Sequence, residues 1–236
     1  MSPQRQRQFP PPQSLFLPVR GHGDTALPLH RIFCVGRNYE AHAREMGSVA
    51  DRDAPFYFTK SAHHFTASGA EVPYPPGTSN FHFEMELVVV IGAPIFRVSK
   101  EEALDAVWGY ACGLDLTRRD LQFESRDKGR PWDTAKDFEH SAIIADVVPA
   151  GECGHLRAGA IELRVNGDIR QQSDLSMMIH DVPAIVSHLS TLYHLHGGDV
   201  IFTGTPEGVG PLQPGDRLHG SIAGLSDVTL TIGEPA

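Results

Sequence analysis

The chain is poor in the residues that mark several large protein classes. It has three cysteines in 236 residues, an odd number spread over Cys34, Cys112 and Cys153 within apolar segments. That excludes a disulfide scaffold and a paired-cysteine zinc site, and predicts reduced core thiols of a cytoplasmic protein. Positive charge is also scarce: 20 Lys and Arg face 29 Asp and Glu, a formal charge of −9. No basic stripe exists for a nucleic-acid backbone. No apolar run nears the roughly 20 residues of a membrane helix. The start, MSPQRQRQFPPPQ, has no apolar segment before its prolines and is not expected to act as a secretory signal.

What remains is a globular composition, 41% hydrophobic and 21% charged, long enough for one large core. We expect residues 1–20 to form a poorly ordered arm leading into an edge strand, and residues 21–236 to form a single domain. The alternation of short strand-like runs, Gly and Pro turns and few helices predicts a mixed, β-rich α+β fold. IFCVG and PFYFTK read as strands and NYEAHAREM as a short helix. Ser99 with Glu102 caps the helix KEEALDAV. PWDTAKDFEHS reads as a loop carrying Lys136. Asn166-Gly167 predicts a hairpin turn, and VPAIVSHLSTLYHLH an amphipathic helix with Pro183 in its first turn.

Chemistry concentrates between Phe81 and Gln122. Glu84 and Glu86 are two apart in a run ending LVVVIG, so on a strand they leave the same face. WGYACGLDL then brings back Asp115. Three carboxylates without HExxH or paired cysteines suit Mg²⁺, Mn²⁺ or Ca²⁺; Glu-x-Glu alone equally describes a solvated strand edge. His42 and Glu45, three apart on a helix, suit a general base with its orienting carboxylate, or an ordinary polar pair. Arg118, Arg119 and Gln122 follow Asp115 and could hold an anionic substrate, as could Lys60 at a strand end. TGTPEGVG lacks the lysine of a phosphate loop and is expected to offer backbone N–H groups to a bound anion.

Seven pieces occur in order: GRNYEAHAREMG, PFYFTK, FHFEMELVVVIG, GYACGLDLTRRDLQ, AKDF, RVNGDIRQ and GDVIFTGTPEGVG. Together, over about Arg31 to Ile232, they resemble the fumarylacetoacetate hydrolase family. The resemblance implies a mixed β-sandwich roll with short peripheral helices, a homodimer, and a Mg²⁺ site (with Mn²⁺ or Ca²⁺ as alternatives) at Glu84, Glu86 and Asp115. It places catalysis on His42, Glu45 and Lys136, and substrate binding on Arg119, Gln122, Thr205 and Lys60. The implied reaction is hydrolytic C–C cleavage of an acylpyruvate, fumarylpyruvate to fumarate and pyruvate in gentisate-type aromatic degradation. A decarboxylase or tautomerase acting on oxaloacetate is the rival within the family, and a non-catalytic metal-binding scaffold the rival outside it. Two departures stand out: Ser61 follows Lys60 where the family has proline, and Glu139 and Ile143 replace the Asp and Pro of its KxFDxxxP. The His42 helix is expected to close as a lid over bound ligand.

Overall fold

The computed structural model describes residues 13–23, 25–49 and 51–235. Its centre is a curled mixed sheet, built on the antiparallel pair Met85–Ile91 and Val107–Asp115. On one side of this pair Asp199–Phe202, Arg31–Gly36 and Phe56–Lys60 follow, and on the other Ala142–Ile144 and Phe65–Ala67. A five-stranded sheet packs beside it in the order Asp168–Asp174, Ala160–Val165, Arg217–Ile222, Val228–Pro235 and Ala70–Tyr74. The helices are short; Val182–Leu192 is 11 residues long. No helix among the described residues is long and apolar enough to cross a membrane.

Period-two alternation sorts the central strands onto two faces, and both are covered. Met85, Leu87, Val89 and Ile91 join Tyr110, Cys112 and Leu114 in a cluster that includes the five-stranded sheet and the helix residues Ile185 and Leu189. Val88 and Val90 face the other way, with Cys34, Ala111, Ala142 and Phe202. A strand buried on both sides reads as an unbroken apolar run, which is why LVVVI carries no polar residue. Glu84 and Glu86 lie on the Val88 face, so the carboxylates occupy the interior end of an apolar layer. Gly113 stands opposite Glu86. A Cβ there would come 2.5 Å from Val88 Cγ2 and 2.8 Å from Phe202 Cε1, so only glycine fits.

Local signals account for several element ends. Asn166 and Gly167 both adopt positive φ, 54° and 91°, giving the turn whose twist suits a hairpin. Ser99 and Glu102 form the expected capping box, although the α-helix spans only Lys100–Ala103 before tightening to a 3₁₀ turn. Asp181 caps the Val182–Leu192 helix through the Ala184 N–H.

Three expectations are corrected. The segment PWDTAKDFEHS is not all loop, because Asp133–Lys136 forms one helical turn that points Lys136 inward. Cys153 is only half-buried, unlike Cys34 and Cys112. Residues 1–12 of the expected arm lie outside the described residues, but the arm does not extend to residue 20. Phe16–Pro18 pairs with Ala26–Pro28, and Val19 bridges Val147. The reason is apolar burial: Leu17 is fully buried and, with Leu29, covers the Val88 face of the sheet.

Leu17→Ala is therefore expected to cost about 2–5 kcal/mol, measured as a lowered urea midpoint at unchanged slope. A loss under about 0.5 kcal/mol would mean that this hairpin is not part of the core.

Candidate active site

Glu84 sits at the junction of Phe81–Phe83 and Met85–Ile91, and Asp115 ends the neighbouring strand. The Asp115 N–H donates to the Glu84 carbonyl at 2.9 Å, which sets the two side chains opposite each other. Glu86 is two residues along on the same face. One carboxylate oxygen from each of the three lies within 4.8 Å of the others, and all three residues are at least 96% buried.

Their surroundings differ. Glu84 is paired with the Arg119 guanidinium and accepts from Lys136 Nζ at 2.7 Å. Asp115 accepts from Lys136 at 2.7 Å and has Lys60 Nζ 2.8 Å from Oδ1. Glu86 accepts from the Gly204 N–H at 2.6 Å and has no cation of the described residues in contact. Burial acts to raise the Glu84 pKa, yet Lys136 and Arg119 override it and hold the carboxyl well below its usual range. On Glu86 burial prevails, reinforced by Asp115 and Glu84, and its pKa is well above the usual range. Asp115 Oδ1 accepts no hydrogen bond despite the nearby ammonium. An all-oxygen donor set, with one carboxylate lacking a cation and one oxygen lacking a donor, fits a hard divalent ion.

Lys136 is nine-tenths and more buried. Burial alone would lower its pKa; the Asp115 and Glu84 carboxylates outweigh that and raise it, so the group is an ammonium. Arg119 is committed through Nη1 to Gln122 Oε1, through Nη2 to Glu84, and through Nε to His82 Nδ1 at 3.4 Å. His82 is pushed down to about 4 by burial and by Arg119, which leaves its ring neutral and able to accept.

His42 Nδ1 lies 3.2 Å from Glu45 Oε2, and Glu45 accepts from the Gly208 N–H at 3.1 Å. Burial works to raise the Glu45 pKa, but the bonds from His42 and Gly208 bring it below its ordinary value. His42 is buried, and its helix Glu40–Glu45 is docked: Tyr39 bridges Met178, and Arg126 Nη1 donates to the Met46 carbonyl at 3.1 Å. His42, Glu84, Glu86, Arg119, Gln122, Lys136 and Thr205 line one cleft enclosing about 500 Å³, part of it open to solvent.

A family model described as the C-terminal region of fumarylacetoacetate hydrolase matches residues 31–233. The chain belongs to the fumarylacetoacetate hydrolase family. Among its relatives, a fumarylpyruvate hydrolase of a Ralstonia species is 50% identical over 190 residues, 80% of this chain and 98% of that one. A mitochondrial oxaloacetate tautomerase of Homo sapiens is 40% identical over 204 residues, 86% of this chain and 92% of that one. A crystal structure of fumarylpyruvate hydrolase from Pseudomonas aeruginosa, in complex with Mn²⁺ and pyruvate, superposes with a TM-score of 0.93 at 45% identity. That match covers 97% of this chain and 100% of that one.

Within this family member, the structure brings together every residue singled out from the sequence except two. Lys60 is not on the cleft wall. It is buried beside Asp115, donating to the Leu116 carbonyl at 3.2 Å and to the Lys136 carbonyl, while Phe58 of the same strand lines the cleft. Arg118 points outward, over the Phe138 ring at 4.3 Å. Both family departures are accommodated. The Ser61 N–H donates to Asp137 Oδ1 at 2.7 Å, a bond proline could not make, and Ile143 is a buried strand residue paired with Leu114. The loop at Thr203–Gly208 presents backbone N–H groups as expected, but to Glu86 and Glu45 of this chain. Positive φ angles of 98° and 94° aim the Gly204 and Gly208 amides. A Cβ on Gly204 would lie 2.7 Å from Asn38 Cβ, and one on Gly208 2.1 Å from the Arg170 carbonyl.

Sequence reasoning missed two buried amides. Asn38 donates to the His180 and Thr203 carbonyls at 2.9 and 2.8 Å and accepts from the His180 N–H, tying the His42 segment to the loop. Gln171 accepts from the Met85 N–H at 2.9 Å and donates to Thr205 Oγ1 and the Pro206 carbonyl, each at 2.8 Å. Its inward position in the Asn166-Gly167 hairpin was readable from period two, but nothing in RQQ says which glutamine is buried.

Lys60→Met removes one partner of a buried ion pair and is expected to cost about 3–5 kcal/mol of stability, seen in urea unfolding. A lysine that served only to meet substrate would leave the midpoint unchanged.

Proposed function

We propose that the chain is a metal-dependent acylpyruvate hydrolase that cleaves fumarylpyruvate to fumarate and pyruvate, using Mg²⁺ or Mn²⁺. The observation that carries this is the convergence of three buried carboxylates, two of them lining the cleft that is also lined by His42 of the His42–Glu45 pair. The 50% identity to a fumarylpyruvate hydrolase and the likeness to the pyruvate- and Mn²⁺-bound enzyme support it.

Glu84, Glu86 and Asp115 would hold the divalent ion, which when bound supplies Lewis acidity and a template for the 2-oxo acid end of the substrate. Glu45, fixed by the Gly208 N–H, orients the His42 ring through Nδ1. The other ring nitrogen takes a proton from water as the water oxygen bonds to the distal ketone carbon. Lys136 uses two N–H groups on Glu84 and Asp115. Its third is directed to the ketone oxygen as negative charge builds there, in a site dry enough for that contact to be worth several kcal/mol. Collapse breaks the C–C bond, the electron pair stays on the pyruvate methylene carbon, and protonation of that carbon completes both products. Arg119 holds Gln122 and Glu84 in place, while Gln122 and the Thr205 hydroxyl line the cleft beside the substrate. Their fixed positions reduce the entropy lost on the way to the transition state.

The second reading, tautomerisation or decarboxylation of oxaloacetate, is supported by the 40% identity to an oxaloacetate tautomerase and would use the same residues. Incubation with Mg²⁺ or Mn²⁺ and fumarylpyruvate should remove the diketone absorbance and yield fumarate and pyruvate in equal amounts. Retained diketone with rapid enol–keto conversion of oxaloacetate, or CO₂ release from it, would replace the hydrolase reading. Turnover of no substrate would leave a metal-binding scaffold.

His42→Ala should keep Mn²⁺ affinity and lower kcat by about 10²–10⁴-fold, whereas Glu84→Ala should lose both together. Calorimetric titration of Mn²⁺ beside the kinetic assay separates these outcomes. Full activity in His42→Ala would remove it as the base.

A further inference from the structure

We infer that Arg37 recognises the distal carboxylate of the acyl group and so makes this enzyme selective for acylpyruvates carrying a second acid. This deepens the hydrolase reading and rests on it. The cations that line the cleft are already committed, with one exception. Lys136 is bound to two carboxylates, Arg119 to Glu84, Gln122 and His82, and Arg126 to the Met46 carbonyl and to Asp127. The Arg37 guanidinium forms no hydrogen bond or ion pair with any other described residue, although it is half-buried and lines the same cleft.

Its placement is specified by the fold. Arg37 follows the strand Arg31–Gly36 directly and precedes Asn38, which is clamped to His180 and Thr203. The backbone at Arg37 has φ of 58°, a region that is unfavourable for a non-glycine residue and persists where neighbours over-determine it. A glycine would sit there without strain, so the position spends stability to keep a guanidinium. Two aromatic rings restrain that group: Cζ lies 6.0 Å from the Phe56 ring and 5.7 Å from the Trp132 ring. Arg37, Phe58, Trp132 and Lys136 also border a neighbouring aromatic groove, which none of the three clustered carboxylates touches. Arg37 thus stands where the cleft meets that groove. Fumarylpyruvate carries a carboxylate at each end; with its 2-oxo acid end at the triad, its other carboxylate is directed toward that junction. A restrained, unpaired guanidinium suits such a group through two parallel N–H bonds.

The test compares fumarylpyruvate with acetylpyruvate, which lacks the distal carboxylate. R37Q should lower kcat/KM on fumarylpyruvate by about ten- to hundredfold, chiefly through KM, and on acetylpyruvate by less than about threefold; R37K should fall between. Equal losses on both substrates, or none on either, overturn the assignment. A second arm needs no turnover. Calorimetry of the Mn²⁺-loaded protein should show fumarate bound at least about tenfold more tightly than crotonate, whose methyl replaces one carboxylate, with R37Q abolishing the preference. Should the wild type cleave neither acylpyruvate, the reaction assignment fails, while the fumarate preference still decides the role of Arg37. Absence of that preference in the wild type overturns it.

Discussion

The structure depends on the neutralisation of two carboxylates, Glu84 and Asp115, beside a third, Glu86, inside a β-sheet protein. Taking each ion out of water costs several kcal/mol, recovered only where opposite charges and hydrogen bonds are in direct contact. Lys60, Lys136 and Arg119 supply those charges, each almost wholly buried. They approach from three different elements: the strand Phe56–Lys60, the helical turn Asp133–Lys136 and the start of the helix Arg119–Asp127. The acids lie on two paired strands and the cations on the segments around them, so the ion cluster ties the periphery of the fold to its central sheet.

That arrangement gives several cleft residues partners within the chain. Arg119 spends its guanidinium on Glu84, Gln122 and His82, and so fixes the carboxylate cluster. Thr205 donates to the Met85 carbonyl and accepts from Gln171. The loop after the strand Asp199–Phe202 uses two glycine amides to hold Glu86 and Glu45, one acid from the proposed metal set and one from the proposed base pair. One short loop therefore couples two halves of the chemistry through backbone donors, which need no side chain to be specified.

Much of this was legible in the residues. Glu-x-Glu at period two places two acids on one face without any tertiary information, and the apolar run WGYACGLDL marks the strand that returns Asp115; strand pairing then brings the third acid beside them. The spacing of His42 and Glu45 places both on one side of a helix. The Asn166-Gly167 turn and the Ser99–Glu102 capping box were readable because they depend on a few adjacent residues. Lys60 was not readable, because a lysine at a strand end carries no mark of whether the chain beyond it opens to solvent or closes over Asp115. Residues 13–20 were obscured by the prolines and glutamines around them, although one apolar side chain, Leu17, was enough to dock them.

By itself, the sequence determined the local geometry: which side chains share a strand face, which share a helix face, and where the chain turns. These follow from backbone periodicity and from φ preferences that act over a few residues. Only the tertiary structure decided what each charged group is bonded to, because an ion pair such as Lys60–Asp115, between strands far apart in the chain, depends on register and packing. It turned Lys60 toward Asp115, committed Arg119 to Glu84 and left the Arg37 guanidinium on the cleft wall with no ion pair to another described residue. Burial decides those pairings, and burial is a property of the assembled fold.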